Sequence, residues 1–114
     1  DGPPLPSSDQ AMLQQPWGQQ WMAALPEMFA HGVAGYTDDR LADGGGWTTF
    51  NVDDITCPVI VLHGGSDVIV DPIHARHTAK IVANAELRIV PGGGHFSIED
   101  HIVPTFIDLR HRAG

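Results

Sequence analysis

The chain has 114 residues, 42% hydrophobic and 18% charged, the balance of one small globular domain or of a piece of a larger one, which excludes disordered and collagenous chains. Fourteen acidic residues against six Lys and Arg leave a formal charge of -8, so no basic stripe exists to neutralise a phosphate backbone, and nucleic acid is not an expected partner. No apolar run comes near the ~20 residues that cross a bilayer, so no membrane span is expected.

Residues 1–8 hold three prolines and end in two serines, which reads as an extended linker running into helix caps. A short helix is predicted over 9–15, behind a Ser/Asp cap and stopped by Pro16. Trp17, Trp21, Met22, Leu25, Met28 and Phe29 then fall at spacings of three and four, one helical stripe ending near Gly32. Pro26 should bend or split that helix, because it removes a backbone donor and crowds the preceding turn. Another short helix is expected over 35–42, ahead of the glycines at 44–46.

The second half changes character. Val59-Ile60-Val61-Leu62, behind Cys57-Pro58 and ahead of Gly64-Gly65, has the composition of a strand buried on both faces. Pro72 opens a helix over 73–83, and Glu86-Leu87-Arg88-Ile89-Val90 makes a second strand before the breaker Pro91-Gly92-Gly93-Gly94. Strand, helix and strand form a βαβ unit, so the two strands should be parallel. Ile102, Val103, Phe106 and Ile107 mark a last amphipathic helix with Pro104 near its start.

In parallel α/β sheets, functional side chains gather in the loops at the carboxyl ends of strands. Asp67, four residues beyond His63, and His95, five beyond Val90, occupy those positions. Strands ~4.8 Å apart would bring the carboxylate within reach of the imidazole. An Asp that accepts from one ring nitrogen sets the tautomer, steadies the imidazolium and leaves the other nitrogen as a general base.

The stretches Cys57-Pro-Val-Ile-Val-Leu-His-Gly-Gly-Ser-Asp67, Asp71-Pro-Ile-His-Ala-Arg76 and Asn84-Ala-Glu-Leu-Arg-Ile-Val-Pro-Gly-Gly-Gly-His95-Phe-Ser together resemble the C-terminal part of α/β-hydrolase-fold enzymes. The resemblance implies an α/β fold class: the last βαβα portion of a doubly wound, mostly parallel sheet over 57–114, preceded by a helical cap segment and its return to the core over 9–56. Trp47 and Asp53-Asp54-Ile55 would belong to that return. It implies Asp67 and His95 as the acid and base of a nucleophile–His–acid triad, and Trp21, Met28 and Phe96 as lining for an apolar or acyl substrate. No cofactor and no metal is implied.

The family's nucleophile motif, Gly-x-Ser-x-Gly on a strand–turn–helix, is absent: the serines are Ser7, Ser8, Ser66 and Ser97, none in that context. By resemblance the nucleophile would lie upstream, a serine implying ester or acyl chemistry and an aspartate implying an alkyl halide or epoxide, and this stretch alone would be inactive. Asp1 is not an initiator methionine, so the natural start and any targeting signal are also expected upstream. The lone Cys57 has no disulfide partner and suits a reducing, cytoplasmic location.

Other groups have plainer readings. His74 and His77 follow Asp71 at a spacing that could hold a metal but lack a third ligand, and read as a solvated helix face. His63 reads as structural at its strand end, Cys57 as remote from the chemistry, and Ser66 as a local turn former. An alternative is a non-catalytic module that self-associates, through an open apolar edge on Val59 to Leu62 or by exchange of the helical arm 9–31.

Overall fold

The computed structural model describes residues 2–46 and 49–114; Trp47 lies outside them. Its elements run α1 (Ser7–Leu13), α2 (Pro16–Met28), α3 (Ala34–Gly46), a 3-10 turn at Val52–Asp54, β1 (Val59–Gly64), α4 (Ile73–Ile81), β2 (Ala85–Val90), a 3-10 segment at Ser97–His101 and α5 (Ile102–Arg112). The class is α/β: β1 and β2 form a two-stranded parallel sheet, with Val59 opposite Ala85 and Gly64 opposite Val90.

The sheet is parallel because the connection between its strands is a helix. Asp71 Oδ1 accepts from the Ile73 amide at 2.9 Å, starting α4, and Asn84 Nδ2 donates to the Thr56 carbonyl at 2.6 Å, locking the entry of β2 beside that of β1. Ala75 on α4 and Val82 at its end are buried.

Several expectations are corrected. The 59–62 segment is a strand, but its residues are half-buried rather than enclosed on both faces, since the described sheet has two strands to share its cover. Pro26 does not split its helix: α2 is one element that ends two residues later, at Met28. A proline in the last turn forfeits one ladder bond and leaves the upstream turns intact. The first helix begins at Ser7, inside the expected linker, and α3 continues through the glycines at 44–46. Each Gly costs ~1 kcal/mol in a helix, which an existing ladder can carry for a few residues.

Among the described residues, the buried apolar side chains are Met12, Ala75 and Val82. The Trp17–Phe29 stripe is largely open, with Met22 47% and Met28 63% exposed. The radius of gyration is 16.3 Å, against about 13 Å for a compact chain of this length. The accessible surface is 8245 Å², against ~6,100 Å² for a folded monomer of this mass. Apolar faces that a self-sufficient domain would enclose are therefore in contact with solvent.

Candidate functional site

The site is built where the two strands run out. Hydrogen bonding continues past them: Gly65 N donates to Val90 O at 2.8 Å and Ser66 N to Gly93 O at 2.8 Å. This zipping presses Gly64 against the carbonyls of Gly93 and Gly94, where a Cβ would collide. Only glycine allows the two loops to approach so closely.

The approach brings Asp67 and His95 together. His95 Nδ1 lies 3.0 Å from Asp67 Oδ2, so in the neutral ring Nδ1–H donates to the carboxylate and Nε2 is left with its lone pair. Asp67 is nearly enclosed, with 4% of its side chain exposed, while the His95 side chain is 38% exposed. The other carboxylate oxygen, Oδ1, accepts from the amides of Ile69 at 2.8 Å and Val70 at 2.9 Å.

Burial pushes the Asp67 carboxyl up, but the Val70 and Ile69 amides, with the His95 ring, outweigh it and hold the group below its ordinary value. An acid so held stays ionised when the imidazole beside it takes a proton. His63 adds a second imidazole: its Nε2 is 2.9 Å from Val70 O and 3.4 Å from Asp67 Oδ2.

A run of aromatic contacts extends from His95. The Phe96 ring stands edge-on to His95 at 5.3 Å between centroids, and Trp21 packs on Phe96 at 5.0 Å and 56°. Met28, expected beside them, sits two turns further along α2, ~10 Å from Trp21 at 1.5 Å per residue, and is among the more exposed apolar side chains.

Ser97 and Ser8 are engaged elsewhere. Ser97 Oγ accepts from Gly94 N at 2.8 Å, and Ser8 Oγ donates to Gly92 O at 2.7 Å. Among the described residues no group of three or more His, Cys, Asp or Glu could hold a metal ion, and no helix is long and apolar enough to cross a membrane. Cys57 is exposed, just ahead of the start of β1 and so at the far end from the Asp67–His95 pair.

Sequence reasoning missed Asp9. Expected as part of a helix cap, it instead sends its carboxylate to the amides of His95, Phe96 and Ser97, at 2.8, 3.0 and 2.8 Å. No spacing in the sequence signals a contact across 86 residues.

This chain is similar to the non-heme chloroperoxidase CPO-A1 of Kitasatospora aureofaciens, with 35% identity over 79 residues that cover 66% of this chain and 26% of that protein. The chain thus spans about a quarter of the relative's length. That chloroperoxidase belongs to the α/β-hydrolase family, so the likeness points to this superfamily. No family model and no solved structure matches the chain.

Proposed function

We propose that these residues supply the acid and the base of an α/β-hydrolase, with His95 as general base and Asp67 as the carboxylate that orients it and balances its charge. The observation that carries this is the 3.0 Å contact of His95 Nδ1 with a nearly buried Asp67, which leaves Nε2 with its lone pair on a partly exposed ring. The nucleophile comes from chain outside these residues, since none of Ser7, Ser8, Ser66 and Ser97 stands in a Gly-x-Ser-x-Gly turn. A serine there gives ester or related acyl hydrolysis, the preferred reading; an aspartate gives attack on an alkyl halide or epoxide. With a serine, His95 takes the hydroxyl proton as the oxygen attacks the acyl carbon and gives it to the departing alcohol. It then takes a proton from the water that hydrolyses the acyl-enzyme and returns it to the serine. With an aspartate, the carboxylate attacks directly and His95 takes a proton from the water that then hydrolyses the alkyl–enzyme ester. Trp21, Phe96 and, further out, Met28 line an apolar subsite. The steps so written draw on no cofactor.

The test is His95→Ala in the complete protein, assayed with p-nitrophenyl acetate and with a short alkyl halide. Loss of turnover with an unchanged circular dichroism spectrum is expected. Undiminished turnover of either substrate by that variant would remove His95 from the mechanism.

A second reading has its own observation. Ile60, Leu62, Ile98, Ile102, Phe106 and Leu109 line an apolar groove of about 360 Å³ on one face of the sheet. Such a face supports pairing with further chain or with a second copy. In a non-catalytic, self-associating module that groove would be filled by a partner copy, and these 114 residues alone would scatter light as a species heavier than 12.3 kDa. A monodisperse monomer would count against it.

A further inference from the structure

The most deeply buried ionisable side chain among the described residues is Asp9, at 0% exposed. A carboxylate withdrawn from water is costly unless hydrogen bonds replace its hydration. Here Oδ2 accepts from His95 N, and Oδ1 from Phe96 N and Ser97 N, all within 3.0 Å. The preceding residue, Ser8, donates to Gly92 O. Adjacent residues of α1 therefore grip the 92–97 loop at both ends. Gly94 is fitted to this arrangement, because a Cβ there would overlap the Asp9 carboxylate.

The loop needs such a grip. Gly92-Gly93-Gly94 leads directly into His95 and is the most permissive backbone a chain can offer. Asp67 restrains the imidazole at one nitrogen but leaves the main chain of His95 free to shift. A misplacement of ~1 Å in a reacting group can cost about 100-fold in rate.

We propose that Asp9 is a positioning residue for His95: it holds the base's own amide while Asp67 holds its ring, so that Nε2 has one direction left. This rests on the reading of His95 as general base. It also makes α1 and the base a single mechanical unit, with the Trp21–Phe96 contact following on the next helix.

The experiment is Asp9→Asn in the complete protein. The variant keeps the shape and one acceptor oxygen, but turns an N–H₂ group toward at least one of the three amides. With p-nitrophenyl acetate as probe, kcat should fall about 10- to 100-fold with KM within about twofold. The downfield proton resonance of His95 Nδ1–H should move or broaden. Wild-type kcat together with an unmoved resonance would overturn the role. Should Asp9→Asn fail to fold, Asp9→Ser, which leaves room for a water to serve the amides, takes its place with the same expected and overturning results. His95→Ala in parallel separates the two ideas: an inactive His95→Ala beside a fully active Asp9 variant defeats only the positioning role, whereas an active His95→Ala defeats the base assignment and the positioning role with it.

Discussion

His63 Nε2 stands 3.4 Å from the same Asp67 oxygen that His95 Nδ1 approaches at 3.0 Å. The shorter contact of His63 is to the Val70 carbonyl, at 2.9 Å, so its ring ties the end of β1 to the far side of the loop that carries Asp67. His63→Leu should leave that carbonyl without its donor and lower stability by about 1–3 kcal/mol. His63→Gln, which restores a donor, should recover most of the loss, as read by urea unfolding. Equal losses in both variants would show that the ring's bulk matters more than its hydrogen bond.

Asp67→Asn should lower kcat by about 10³–10⁴-fold if the pair works as a triad's acid and base, because an amide favours the wrong ring tautomer. A drop under tenfold in the complete protein would leave His95 oriented by something else.

The Asp67 carboxyl is held below its ordinary value of 3.8. A carboxyl that is more acidic in the folded than in the unfolded chain contributes stability that is fully present above the unfolded value. That contribution is lost as the pH falls through the lower folded value. Acidification below about pH 4 should therefore weaken the fold, and Asp67→Asn should lose that share of the pH dependence. Parallel urea midpoints across pH 2–7 for the two proteins would contradict the assignment.

Two glycines should respond in opposite directions. At Gly64 a methyl group meets the carbonyls of Gly93 and Gly94, backbone that can yield only by parting the loops, so Gly64→Ala should cost more than about 3 kcal/mol. Gly44, inside α3, has open space around its Cβ position, and Gly44→Ala should raise stability by up to about 1 kcal/mol. Melting temperatures of the two variants decide the matter.

Trp21→Ala and Phe96→Ala should raise KM for an apolar acyl substrate more than they lower kcat, since Phe96 borders His95, Trp21 packs on Phe96, and neither ring exchanges a proton in the reaction. Met28→Ala should have a smaller effect, given its distance along α2. A fall in kcat alone in the aromatic variants would argue that they support the base and not the substrate.

Local chemistry made much of this molecule legible. The β-branched run at 59–62, the alternation at 86–90 and the Pro-led helix between them specify a βαβ unit on their own, because strand and helix periodicities are properties of neighbouring residues. The expected acid and histidine follow from that unit, as positions past the ends of adjacent strands, and the fold brings them within 3.0 Å. Helix limits were less legible where a penalty is small: α3 runs on through three glycines, and α2 carries a proline in its last turn.

What the sequence by itself determined is the order of the elements and the pairing of Asp67 with His95. Tertiary structure alone decided the partners of Asp9 and the environment of His63. Asp9 looks like any acidic residue in a first helical turn; docking of α1 on the 92–97 loop removes its carboxylate from water and makes three distant amides its nearest partners. The physical reason is that periodicity and capping are set within a few residues, whereas the choice of partner for a buried charge is made by whichever donors the packed chain brings within reach.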